Sequence, residues 1–190
     1  MLTNRDKQLL KFIENYGGIS TQQATNIFFD GLRESATRRL NHFEKLKELE
    51  SYYIGKNKIY KLLGSKEMKE HEKIKLDFYS WIYKNEGEVI EFQLEPRLLN
   101  GLLRPDIYTE FKMDYEGEKY SIKAYVEIDL NHYTDIDKIR TLYQKFYNEN
   151  ENEWLLIIAR STKGLMFSPN DFDVLYTDIN FNSLKRLIFQ

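Results

Sequence analysis

The sequence predicts an α+β chain in two parts, three short helices and a β-hairpin over residues 1–64, then an α/β domain with a central mixed sheet over residues 65–190. Three observations predict this. Apolar residues recur at helical spacing three times before residue 50, Gly64-Ser65 breaks the pattern, and beyond it strand-like runs alternate with amphipathic stretches. With 42% hydrophobic and 15% aromatic residues the chain has ample material for packed cores and none of the profile of a disordered one.

Taking the elements in order, Thr3 stands three residues before Asp6, a capping-box spacing in which hydroxyl and carboxylate satisfy the unpaired amides of a helix start. Leu9, Leu10, Ile13 and Tyr16 then form one stripe, and Gly17-Gly18 ends the helix. Ser20 and Gln23 repeat the capping signature for a short second helix carrying Ala24, Ile27 and Phe28, stopped by Asp30-Gly31. The third helix is expected at 35–49. Ala36, Leu40, Phe43, Leu46 and Leu49 face inward, and Arg38, Asn41, His42 and Lys45 face out. Residues 52–54 and 59–62 read as two strands joined by a basic turn, Gly55-Lys56-Asn57-Lys58.

Helix, helix, helix, hairpin is the order of a winged helix-turn-helix, whose third helix enters the DNA major groove while the hairpin meets the phosphate backbone. The charge distribution agrees. The net charge of −2 conceals eleven Lys and Arg against seven Asp and Glu in residues 1–64, a net of +4, and −6 in the remainder. Double-stranded DNA is therefore the expected partner, bound as a homodimer on a palindromic site. Arg38 and Arg39, early in the third helix, suit bidentate contact with guanine. Lys45, Lys56 and Lys58 suit phosphate neutralisation, Ser35 and Thr37 can donate to phosphate, and Asn41 and His42 complete the face. A solvated helix face would use the same residue types.

No cysteine occurs, which excludes disulfides, thiolate zinc sites and cysteine nucleophiles, and suits a reducing, cytoplasmic compartment. The N-terminus lacks a signal-peptide pattern, and no apolar run approaches the roughly 20 residues of a membrane span, so no membrane association is expected.

Beyond Gly64-Ser65, a charged segment leads into a helix carrying Ile74, Phe78, Trp81 and Ile82. Strands are expected at 89–94, 107–113, 120–130 and 154–159, with Glu116-Gly117 as a hairpin turn, a crossover helix at 136–147 and an edge strand at 172–176. Asp106 precedes one strand. Glu127 and Asp129, two residues apart on the next, share a face, and Lys138 lies on the crossover helix. Carboxylates from adjacent strands suit Mg²⁺, which binds oxygen and is often held by one or two carboxylates. A half-exposed polar strand edge would look the same.

Pro105-Asp106 and Glu127 resemble the motif of PD-(D/E)XK nucleases, although the motif's lysine position holds Asp129. Taken whole, the chain resembles the replication-relaxation family of plasmid and mobile-element proteins, through Leu2-Thr3-Asn4-Arg5-Asp6, Ile19-Ser20-Thr21, Ala36-Thr37-Arg38-Arg39-Leu40, Leu103-Arg104-Pro105-Asp106, Val126-Glu127-Ile128-Asp129, and Lys138 with Tyr143. The resemblance implies a winged helix joined to a nuclease-like domain, DNA binding in plasmid replication or mobilisation, and a replication initiator or relaxase as partner. If the second domain is a Mg²⁺-dependent endonuclease or nickase, Asp106 and Glu127 would hold the metal. Asp129 and Lys138 would complete the catalytic set, with Lys138 supplying the missing lysine.

Overall fold

The first helix begins where its polar residues dictate. In the computed structural model, which describes residues 2–135, 140, 144–145, 155–161 and 174–189, α1 (Asn4–Tyr16) is opened by a closed capping box. Thr3 Oγ1 accepts from the Asp6 amide (3.2 Å) and Asp6 Oδ2 accepts from the Thr3 amide (2.7 Å). Gly17 ends it in the left-handed region at φ 84°, its amide donating to the Ile13 carbonyl at 2.8 Å. Ser20 and Gln23 form the second capping box, opening α2 (Thr21–Phe28).

Next come α3 (Arg33–Lys45), β2 (Leu49–Ile54) and β3 (Asn57–Leu62). Ile19–Ser20 is a short strand, β1, that pairs antiparallel with β3, giving a three-stranded sheet in the order β1-β3-β2. Two residues carry no periodicity, so nothing in the sequence announced β1. The third helix is displaced from 35–49 because Leu49 opens β2, opposite Leu62. Leu46, expected inward, is consequently 54% exposed. The hairpin turn is also tighter than expected. Ile54 pairs with Asn57, so only Gly55 and Lys56 form the loop, Gly55 supplying the positive φ (58°) that such turns need. Lys58 thereby becomes a strand residue.

The core of this unit gathers Leu9, Ile13, Ala24, Leu40, Phe43, Leu49 and Ile59 from all of these elements. Each fully buried leucine or isoleucine contributes about 1.5–3 kcal/mol through removal from water. Gly18 sits against this core. A β-carbon there would lie 2.9 Å from Met68 Cε and 3.1 Å from the Tyr60 carbonyl oxygen. The methionine tip can yield, but the carbonyl belongs to a paired strand. Gly18→Ala is expected to lower unfolding stability by about 1–3 kcal/mol, read by urea denaturation.

The compact N-terminal unit runs to Lys84 rather than to the expected boundary at 64, because α4 (Glu70–Lys84) packs on α2. Gln23 Nε2 donates to Asp77 Oδ1 (2.8 Å) and to the Lys73 carbonyl (3.1 Å), and Asn26 Nδ2 donates to Ser80 Oγ (2.9 Å). Met68 and Leu76 join the same core. The composition break at Gly64-Ser65 is real in the sequence, yet it falls within a unit, since local turn chemistry does not report tertiary packing.

The C-terminal unit, from Asn85, is built on a five-stranded mixed sheet in the order β4 (Glu88–Leu94), β5 (Ile107–Tyr115), β6 (Glu118–Asp129), β7 (Leu155–Arg160), β8 (Val174–Asp178). The first three strands form an antiparallel meander, and β6-β7 and β7-β8 are parallel. Glu116 and Gly117 make the β5-β6 turn with φ of 51° and 86°, the two positive values a type I′ turn requires. β8 is an edge strand, as expected. A closing helix, α5 (Leu184–Ile188), was not foreseen, and Phe181 before it and Leu184 at its start are fully buried. Most of the crossover segment 136–147 lies outside the described residues. Among the described residues no helix is long and apolar enough to cross a membrane.

Candidate functional site

The outward face of α3 follows from its inward one. With Ala36, Leu40 and Phe43 fixed against the core, residues 38, 42 and 45 must point the other way, and Arg38, His42 and Lys45 are all exposed. Lys56 is exposed at the hairpin turn. Ser35 is half-buried in the first turn of α3. Thr37 Oγ1 donates to the Arg33 carbonyl (2.9 Å), so its proton is held within its own helix.

Arg39 departs from the expected role. Its Nε and Nη2 donate to the two carboxylate oxygens of Asp6 at 2.6 and 2.5 Å, and its guanidinium lies over the Phe43 ring, 4.6 Å from the centroid. The Asp6 side chain is only 3% exposed. The same carboxylate thus caps α1 and anchors α3. Burial raises the Asp6 pKa, but the hydrogen bonds from Arg39 and Thr3 outweigh it and hold the carboxyl below its ordinary value. A base-reading role for Arg39 would require breaking this fork, so Arg38 alone of the pair remains on the open face.

Lys58 and Asn41 are likewise turned inward. Lys58 Nζ forms an ion pair with Glu44 Oε2 (2.8 Å) and lies 4.6 Å from the Tyr60 ring centroid. Asn41 Oδ1 accepts from the Tyr60 hydroxyl (2.7 Å). Ser51 Oγ also donates to Glu44, and together with Lys58 it holds the Glu44 carboxyl below its ordinary pKa. These contacts fasten the hairpin to α3. The shortened turn is the cause, since it moves Lys58 from the tip into β3. Tyr53, expected only as a strand residue, is 68% exposed on this hairpin.

In the C-terminal unit, the β5-β6 register ends with Ile107 opposite Val126, so Asp106 directly precedes β5 at the point where Glu127 continues β6. Both are half-buried, and Asp106 Oδ2 accepts from the Ile128 amide at 2.8 Å. Asp129, expected beside them as a third acid, is differently engaged. Its Oδ2 accepts from Arg160 Nε (3.0 Å), and its Oδ1 accepts from the Thr134 amide (3.1 Å) and hydroxyl (2.6 Å). Arg160 lies over the rings of Tyr133 and Tyr176, at 4.6 and 4.9 Å. The Asp129 carboxylate is thus held by a buried guanidinium and by Thr134. Arg104, from the Leu103-Arg104-Pro105-Asp106 segment, is ion-paired with Glu95. Lys138 lies outside the described residues.

The donor set fits Mg²⁺ in part. Asp106, just before β5, and Glu127, on β6, are hard oxygen ligands, whereas Asp129 is engaged by Arg160 and Thr134, and among the described residues no group of three or more metal-ligating side chains converges. Compared with known proteins, the chain matches no protein-family model, and no curated protein is significantly similar to it.

Proposed function

We propose that the chain binds double-stranded DNA through a winged helix-turn-helix in its N-terminal unit, as an accessory or regulatory protein of plasmid or mobile-element replication or mobilisation. The observation that carries the binding is the outward face of α3, where Arg38, His42 and Lys45 stand exposed, with Lys56 exposed at the hairpin turn. The internal pairing of Arg39 and Lys58 sharpens this reading by separating cations that hold the fold from cations open to a ligand. The element order α1, β1, α2, α3, β2, β3 is that of a winged helix. Charge agrees as well, since residues 1–84 carry sixteen Lys and Arg against eleven Asp and Glu, a net of +5. The plasmid context, a replication initiator or relaxase as partner, and a homodimer on a palindromic site rest on the family resemblance and on winged-helix habit.

The test is anisotropy of a labelled duplex across a salt series. Affinity should fall steeply with salt, Lys56→Met should reduce the log–log slope by about 0.9, and Lys58→Met should leave it unchanged because Glu44 already neutralises that charge. Arg38→Ala should weaken binding about tenfold or more. No binding by the wild type at low salt would sink the reading.

A second reading, a Mg²⁺-dependent endonuclease, is favoured by one observation, the placement of Asp106 and Glu127 at the end of the β5-β6 ladder beside the Ile107–Val126 pair. Those two residues would hold the ion, which supplies charge to stabilise a phosphoryl transition state. Against it stand the occupied Asp129 and a net charge of −7 over residues 85–190, from twelve Lys and Arg against nineteen Asp and Glu. Equal nicking of supercoiled plasmid by wild type and Asp106→Ala, in Mg²⁺ and in Mn²⁺, would remove it.

A further inference from the structure

We propose that Tyr53 is a DNA-contacting residue of the hairpin, donating its hydroxyl to a phosphate oxygen and covering the adjoining deoxyribose with its ring. This rests on the DNA-binding reading above. Strand alternation fixes where the side chain goes. Ser51 Oγ reaches Glu44 of α3, so the odd residues of β2 face the helix, and Tyr53, two residues on, faces the same way. Its cross-strand partner is Lys58, which also reaches Glu44.

Tyr53 is nevertheless 68% exposed. A tyrosine on the helix side of a hairpin is covered where the helix reaches it, as Tyr60 is at 1% exposure, so Tyr53 stands past the reach of α3, one register step from the Ile54–Asn57 pair that closes the turn. Its hydroxyl makes no hydrogen bond among the described residues. An exposed ring with a free polar tip, on the side that carries α3 and three residues before Lys56 of the turn, presents an amphipathic surface to the polyanion that those cations attract. The contact is neutral and reads no base.

The experiment uses the full chain and a fluorescein-labelled mixed-sequence duplex, titrated across a sodium chloride series, with wild type, Tyr53→Phe, Tyr53→Ala and Lys56→Met. Tyr53→Ala should bind about five- to tenfold more weakly with an unchanged salt slope, since a neutral side chain releases no counterion. Tyr53→Phe should show a smaller loss, roughly two- to threefold, for the missing hydroxyl alone. Lys56→Met should change the slope. Thermal melting checks that the variants remain folded, and Tyr53→Phe keeps the ring if the alanine variant does not. If the wild type binds and both Tyr53 variants match it, or if Tyr53→Ala alters the slope as a lost lysine would, the Tyr53 contact is wrong while DNA binding stands. If the wild type fails to bind, the DNA reading itself falls and takes this contact with it.

Discussion

Asp129→Ala will destabilise the C-terminal unit by about 3–5 kcal/mol, the cost of removing one partner of a buried ion pair. The Asp129 and Arg160 side chains are 2% and 6% exposed, and they meet at 3.0 Å across paired positions of β6 and β7. The substitution also strips the acceptor from the Thr134 amide and hydroxyl, releasing the segment that follows β6. The Tyr133 and Tyr176 rings flanking the guanidinium offset only part of this, because a cation–π contact is worth about 0.5–2 kcal/mol. Equilibrium urea unfolding reads the loss. Adding Arg160→Met should restore part of it, since the pair is then replaced as a whole rather than broken. Should Asp129→Ala unfold within about 1 kcal/mol of wild type, the pair is not a structural one. The prediction also governs how nuclease assays are interpreted, since an inactive Asp129→Ala protein would report on folding before it reported on catalysis.

Asp6→Ala should cost the N-terminal unit about 2–4 kcal/mol, combining a lost helix cap with the loss of a bidentate arginine pair. Both halves of that sum come from one carboxylate, which accepts from Thr3 and from two nitrogens of Arg39. Arg38→Ala, one residue away, should change stability by no more than about 0.5 kcal/mol, because that side chain is exposed. The effect has a defined pH dependence. The folded-state pKa of Asp6 lies below its ordinary 3.8, so its contribution is complete above that value and fades as pH falls through the lowered one. Glu44 follows the same sign. The gap between wild type and Asp6→Ala should therefore narrow on acidification. A gap that stays constant down to pH about 2 would mean that the pair does not hold the carboxylate ionised.

What the sequence disclosed was what short-range chemistry controls. Both capping boxes, the Gly17 cap, the Glu116-Gly117 turn and the inward stripe of Ala36, Leu40 and Phe43 were legible because each depends on residues within one or two turns. The charged residues whose surroundings the sequence did not show were those whose partners lie far along the chain. Arg39 meets Asp6 across 33 residues, and Asp129 meets Arg160 across 31. One signal did exist. Arg39 is three residues after Ala36 and four before Phe43, which puts it at the border of the apolar stripe, whereas Arg38 falls on the opposite side. Charge type alone could not separate them. For Lys58 the error was one of loop length, since a four-residue turn puts the lysine at the tip and a two-residue turn puts it in the sheet.

The packing of α4 on α2 also sets the order in which the N-terminal unit can be made. Leu76 and Met68 complete a core whose other buried members end at Tyr60, and Gln23 Nε2 finds its acceptors on Lys73 and Asp77. During synthesis, α3 and the hairpin therefore leave the ribosome before the unit can close over them, and the face bearing Arg38 and Lys45 is exposed ahead of a finished core. A fragment ending at Gly64 would lack Met68 and Leu76 from that core, whereas one ending at Lys84 would carry its own closure.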